Sequence, residues 1–195
     1  YTVTNTIVAA GGCAQVVATS SIVIQATAVA TFSYAGTPYC SNDSDPSPAY
    51  SGGGVAGAFT ANGAVGALVF VDAATGEVDI SASTAGTYTV TNTIAASGAC
   101  AAVVETASIT INTLPVATFS YAGTPYCSND NDPSPAYSGG GVAGAFTANG
   151  AVGALVFVDA ATGAVDISAS TAGTYTVTNT IVAANGCAQV VATSS

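Results

Sequence analysis

Hydrophobic and polar positions alternate along most of this chain. Tyr88, Val90 and Ile94 fall on one parity, while Thr89, Thr91 and Thr93 fall on the other. A period of two puts these sets on opposite faces of a strand, one buried and one covered by threonine. No apolar period of 3.6 residues runs over any useful length. Val, Ile, Thr, Tyr and Phe fill the alternating runs, and Gly, Asn, Asp and Pro interrupt them. In residues 28–114 this pattern predicts seven strands, over roughly 29–35, 48–52, 56–61, 67–71, 77–81, 86–96 and 101–112. Asp72-Ala73-Ala74-Thr75-Gly76 reads as a tight hairpin turn in which Gly76 suits a positive φ. Ser97-Gly98-Ala99 turns the last hairpin. Gly52-Gly53-Gly54 and Gly139-Gly140-Gly141 have no Lys after them and open no helix, so they read as bends or bulges rather than phosphate loops. The expected fold is all-β: tandem immunoglobulin-like β-sandwich domains, about seven strands each, in a linear array. Tyr88, near the start of the sixth strand, suits either a tyrosine corner or plain core packing.

The pattern repeats. Tyr1, Tyr88 and Tyr175 are each 87 residues apart, as are Cys13, Cys100 and Cys187. Between Val29 and Ile94 the next copy differs only by Asn131 for Ser44 and Ala164 for Glu77. The phase divides the chain into the C-terminal part of one repeat (1–27), a complete repeat (28–114) and a repeat truncated at its last strand (115–195). Further copies are expected on both sides. The linkers near Ala28 and Pro115 are only a few residues long, so neighbouring units should abut closely. A ten-residue strand rises roughly 34 Å, so each unit should be about 40 Å long and the array a thin rod.

Charge narrows the function. The chain has ten acidic residues, no Lys, Arg or His, and a net charge of -10. No side-chain ion pair can form within it. Nucleic acid is not an expected partner, because phosphate contacts need Lys or Arg. Membrane insertion is not expected either: apolar runs such as Ala67 to Val71 are far short of the roughly 20 residues a spanning helix needs. Catalysis has little to draw on without His or Lys, and Lys–Asn isopeptide bonds are ruled out. The chain is expected not to be an enzyme. Trypsin-like proteases find no Lys or Arg to cut.

Two cysteines per period suit an oxidising, extracellular setting. The simplest pairing lies within each unit, Cys40–Cys100 and Cys127–Cys187, with Cys13 paired outside this stretch. A plain sandwich topology, however, puts Cys40 and Cys100 at opposite ends, which would favour an inter-domain Cys40–Cys187 bond, since the Cα atoms must come within about 7 Å. Both pairings stay open at this level. Ser41-Asn42-Asp43-Ser44-Asp45-Pro46 and its copy Ser128-Asn129-Asp130-Asn131-Asp132-Pro133 cluster oxygen ligands on a turn. Asp43, Asp45, Asp130 and Asp132 are therefore candidate calcium ligands, against the plainer reading of an Asx turn before proline. Calcium is the one cofactor the sequence raises. Asn42-Asp43-Ser44 fits the N-glycosylation pattern, which Asn129-Asp130-Asn131 breaks.

The string Ala30 to Cys40 (ATFSYAGTPYC), the turn Asp72 to Gly76, the segment Ala85 to Thr91 and the pair Gly12-Cys13 resemble a known group. It is the tandem Ig-like and PKD-like repeats of very large surface proteins in Bacteroidetes-type bacteria, including adhesin-like and gliding-motility proteins secreted by the type IX route. The resemblance spans the whole chain. It implies an extracellular, bacterial cell-surface location and a role in a stalk, filament or adhesin. The partners it implies are neighbouring repeats and other copies in a filament. The alternative is a carbohydrate- or protein-binding module repeated for avidity, with Tyr34, Tyr39 and Tyr50 as stacking surfaces.

Overall fold

A computed structural model describes residues 1–63, 66–150 and 153–195. All regular structure among them is β. The first 27 residues form one antiparallel hairpin, β1 (Thr2–Ile7) and β2 (Val16–Ser21), paired from Thr2↔Ser21 to Ile7↔Val16. Its apolar side chains meet no second sheet: Val3, Ile7, Ile22, Val23 and Ile24 are all exposed.

The middle unit is a two-layer sandwich. Its strands are β3 (Phe32–Ser33), β4 (Tyr39–Cys40), β5 (Ala49–Tyr50), β6 (Ala58–Ala61), β7 (Val69–Asp72), β8 (Glu77–Asp79), β9 (Gly86–Ile94) and β10 (Val103–Asn112). One layer is the sheet β4-β10-β9-β6, and the ribbons β3-β5 and β7-β8 supply the rest. The β9–β10 ladder runs from Val103↔Ile94 to Ile111↔Gly86 and puts Tyr88, Val90, Ile109 and Ile111 on one face. These pack with Phe32, Tyr34, Phe59, Leu68, Val78 and Ile80 into a single buried core. Phe59 meets Phe32 edge-on at 5.2 Å between ring centres, a favoured aromatic geometry. Gly76 is required twice over: its φ is +79°, and a Cβ there would lie 2.8 Å from the Phe59 ring.

The seven expected strands are present, most of them shorter than the pattern predicts. An eighth, β4, was not expected. It runs parallel to the end of β10, with Tyr39 opposite Ile111 and Cys40 opposite Asn112. Two residues after Pro38 are too few to show a period, and their partner lies far along the chain. The chain thus crosses from the β3 ribbon to the opposite sheet before the acidic loop.

The third unit repeats this plan with β11 (Phe119–Ser120), β12 (Ala136–Tyr137), β13 (Ala145–Ala148), β14 (Val156–Asp159), β15 (Ala164–Asp166), β16 (Val177–Ile181) and β17 (Val190–Ser194). Its central sheet is β13-β16-β17, and its cluster of buried core side chains is smaller, Phe119, Phe146 and Val177.

Two details hold each sandwich in register. Tyr88 Oη donates to the Thr84 carbonyl at 2.7 Å, and Tyr175 Oη to the Thr171 carbonyl at 2.6 Å. This is a tyrosine corner, closing the turn into β9 and β16. Asn92 is fully buried, and its Nδ2 donates to the carbonyls of Ala30 and Val55 while its Oδ1 accepts from Gly57 N–H. Asn179 makes the same three bonds one period on. Asn92 shares the parity of Tyr88, Val90 and Ile94, so a polar residue on an inward position was its only sign in the sequence.

Candidate functional site

The cysteines decide where the distinctive geometry lies. Cys40 is bonded to Cys187 across the junction of the two larger units, with 4.7 Å between Cα atoms and 147 residues between them in sequence. The within-unit pairs Cys40–Cys100 and Cys127–Cys187 do not occur. The reason is topological. Cys40, on β4, lies beside the last residue of β10, whereas Cys100 precedes the first. Ten residues of strand separate them, roughly 34 Å, several times the reach of a disulfide. The end of the middle unit that carries Cys40 is also the end from which the chain leaves. The tip of the β16–β17 hairpin, with Cys187, folds back onto it.

Both sulfur-bearing residues are buried, Cys40 fully and Cys187 nearly so. Around them the junction is a continuous polar lattice. Ser41 N–H donates to the Asn112 carbonyl at 2.8 Å, and Leu114 N–H donates to Ser41 Oγ at 3.0 Å. Asn112 Nδ2 donates to the Asn185 carbonyl in the next unit at 2.7 Å. The turn at the hairpin tip has positive φ at both Asn185 (53°) and Gly186 (81°), the pattern of a type I′ hairpin turn. Gly186 presses on the middle unit so closely that a Cβ there would lie 2.1 Å from the Pro38 carbonyl oxygen. The three-residue link Thr113-Leu114-Pro115 completes the joint.

The first junction shares part of this pattern, without the disulfide. The Cys100 thiol points at the carbonyls of Gln25 and Ala26, 3.9 Å away, as Cys187 Sγ faces Asn112 and Thr113 one period on. Gln25 Nε2 donates to Ser97 Oγ at 3.4 Å. Cys13, Cys100 and Cys127 are unpaired, with Cys13 and Cys127 exposed.

The acidic loop serves the same joint. Asp43 Oδ2 accepts from Cys40 N–H at 2.8 Å, and Asp130 Oδ2 accepts from Cys127 N–H at 2.7 Å. Asp45 reaches instead to Ile80 N–H at 2.9 Å, and Asp132 to Ile167 N–H at 2.9 Å. Each carboxylate thus fixes a separate piece of backbone. Among the described residues no three His, Cys, Asp or Glu side chains gather in one place. Hydrogen bonds hold the half-buried Asp79 below the ordinary carboxylate range, first from Ser81 and then from Ala82 N–H. At Asp166 the Ala169 N–H leads and Ser168 follows.

The three tyrosines named as a stacking surface do not form one. Tyr34 is buried, with its hydroxyl on the Gly76 carbonyl at 2.6 Å. Tyr39 is half-buried and donates to the Ala35 carbonyl, while Tyr50 is exposed. In the third unit a cleft of about 290 Å³ opens beside the end of β17, lined by Tyr121, Tyr126, Leu155, Ile167, Tyr175 and Ser195 among others. The matching space in the middle unit is filled by Ile109 and Ile111, both essentially inaccessible.

No family model matches the chain, and no curated protein does. Among solved structures it is similar to a SusE-like surface-located polysaccharide-binding protein from the heparin utilisation locus of Bacteroides thetaiotaomicron. The two are 17% identical over 85% of this chain and 33% of that one, with a TM-score of 0.32. It is also similar to mouse cadherin-23 EC22–24, at 14% identity over 86% of this chain and 62% of that one, with a TM-score of 0.33. The chain therefore spans a third of the first neighbour and less than two thirds of the second.

Proposed function

We propose that this chain is a structural segment of an extracellular filament or cell-surface adhesin stalk, in which stapled sandwich units form a stiff, protease-resistant rod. The observation that carries the reading is the Cys40–Cys187 bond. A disulfide within a unit would stabilise that unit and leave the joint free. This bond instead fixes one unit against the next, at a joint already closed by a three-residue link and by the Asn112–Asn185 hydrogen bond. Such a device has a use where orientation must be kept under load. A disulfide also suits a compartment outside the cytosol.

The test is the shape of the molecule in solution. Small-angle scattering of the oxidised chain should give a narrow distribution of angles between the two larger units. Replacing both partners (Cys40→Ser with Cys187→Ser) should broaden that distribution while each sandwich stays folded. Equal breadth in the two proteins would remove the rod reading. Glycan binding by the isolated chain, measured on an array, would instead favour the repeated binding module.

A further inference from the structure

We infer that the Cys40–Cys187 bond carries tension past the two larger units: a pull along the chain passes from Cys40 directly to Cys187, and residues 41–186 stay outside the stretched path. The inference rests on the rod reading and adds how such a rod resists extension.

The first observation is connectivity. A pull is transmitted by the shortest covalent route. That route crosses from Cys40 to Cys187 through two sulfur atoms, over 4.7 Å between Cα atoms, and omits the 147 steps of chain between them. The bypassed stretch contains strands β5 to β16. Of the middle core only Phe32 and Tyr34 lie outside it, and Phe119, Phe146 and Val177 of the third unit all lie inside. Bonds within the units, Cys40–Cys100 and Cys127–Cys187, would have left β10 and the joint in the stretched path.

The second is the lack of slack in what remains. Ala30 lies near one end of the middle sandwich: its carbonyl accepts from Asn92 Nδ2, and Asn92 stands opposite Glu105, near the start of β10. Cys40 lies at the other end, opposite Asn112. The seven steps of β10 from Glu105 to Asn112 rise about 24 Å. The ten steps from Ala30 to Cys40 can span at most about 36 Å. That segment therefore crosses most of the unit with roughly 10 Å in reserve. Past Cys187 the path enters β17, which is already extended and is pulled along its own axis. Unfolding lengthens neither segment much.

The third is protection of the link. Cys40 is fully buried and Cys187 nearly so, which keeps dissolved thiols from the sulfur atoms. The stretched segment is also pinned to the sheltered part. Tyr34 Oη donates to the Gly76 carbonyl at 2.6 Å, and Val55 N–H donates to the Val29 carbonyl at 2.9 Å. Tension on residues 28–40 is thus borne by backbone that the sandwich holds straight, while the sandwich itself is not drawn out.

The experiment stretches the whole oxidised chain by its two ends in optical tweezers, in buffer free of reductant, beside Cys40→Ser with Cys187→Ser. The double variant should reach a full extension roughly 500 Å greater, the length of 147 residues, which is about a fourfold difference. The β1–β2 hairpin opens in both proteins and cancels. A change inside the sheltered core separates shielding from mere shortening. Ile109→Ala should lower the unfolding force of the double variant and leave the curve of the oxidised chain unchanged. Ile109→Val serves the same purpose should the alanine variant not fold. An oxidised chain that extends as far as the double variant overturns the inference, as does an oxidised curve that shifts with the Ile109 substitution. The rod reading is judged separately, by scattering without applied force: a chain with a narrow distribution of angles that nevertheless extends fully keeps the rod and loses the shielding.

Discussion

Leu68, Ile80 and Tyr88 are buried in the middle unit, whereas Leu155, Ile167 and Tyr175, the same residues one period later, are only half-buried. The two units share nearly all their residues from Val29 to Ile94, so their local preferences are the same. What differs is the tail of one strand. In the middle unit β10 extends through Ile109 and Ile111 and pairs with β4; the sequence ends at Ser195, before the positions that match those two, and the segment matching β4 joins no sheet. Burying an isoleucine contributes about 1.5–3 kcal/mol, and these two also screen their neighbours from water. The comparison teaches that the last few residues of the closing strand complete the core, while the hairpin, the tyrosine corner and the buried asparagine form without them.

The sharpest way to break the comparison is to make the middle unit resemble the third. Ile109→Ala should destabilise the middle unit by about 2–5 kcal/mol, as for other large-to-small core changes. Hydrogen exchange read by mass spectrometry should show protection falling in β9 and β10 toward that of β16 and β17, with the third unit unchanged.

A smaller effect should be equal in the two units. Asn92→Ala leaves two buried carbonyls and one N–H without their partner and should cost about 1–3 kcal/mol. Asn179→Ala should cost its own unit the same, because the three bonds are the same. A large inequality, measured by local exchange rates, would mean that the asparagine clamp depends on the completed core.

The tyrosines sharpen the comparison at high pH. Burial, with the nearby Tyr50 and Tyr39 adding to it, raises the Tyr34 phenol well above its usual range, while burial pushes Tyr121 up to about 12. A raised folded value means stability that is complete below the unfolded value near 10 and is lost as pH rises through the folded one. Both units should weaken above pH 10. In a phenolate absorbance titration, the step removed by Tyr121→Phe should centre near 12 and the step removed by Tyr34→Phe should lie higher.

The smallest effect is acid-side and symmetric. Asp79 and Asp166 are held below 3.8 when folded, so their contribution is present above that pH and fades as pH falls through the folded value. Melting curves should be flat from neutral pH to about 4 and decline below it. Asp79→Asn and Asp166→Asn should reduce the decline alike, since neither residue touches the isoleucine cleft.

Alternation of Tyr, Val and Ile with Thr was enough to show β9 and β10, and Asp72 to Gly76 enough to show the β7–β8 hairpin, because a period of two and a tight turn are local properties. The 87-residue phase and the absence of Lys, Arg and His are likewise legible in the residues alone. Asp43 and Asp45 were raised as candidate ligands because sequence places them two residues apart. In the fold one binds Cys40 N–H and the other Ile80 N–H, and no local rule sends them in different directions. The binding-surface reading of Tyr34 failed because its parity does not tell whether a ring faces solvent or the core. β4 was missed because a two-residue parallel strand owes its existence to β10, seventy residues away. Its placement in turn determined the cysteine pairing. The sequence by itself determined an all-β chain of repeated sandwich units with two cysteines each, since period, turn chemistry and composition are carried by near neighbours. Only the tertiary structure decided that Cys40 bonds to the next unit and not to its own, because which end of a sandwich a residue occupies depends on strand pairings between residues far apart in the chain.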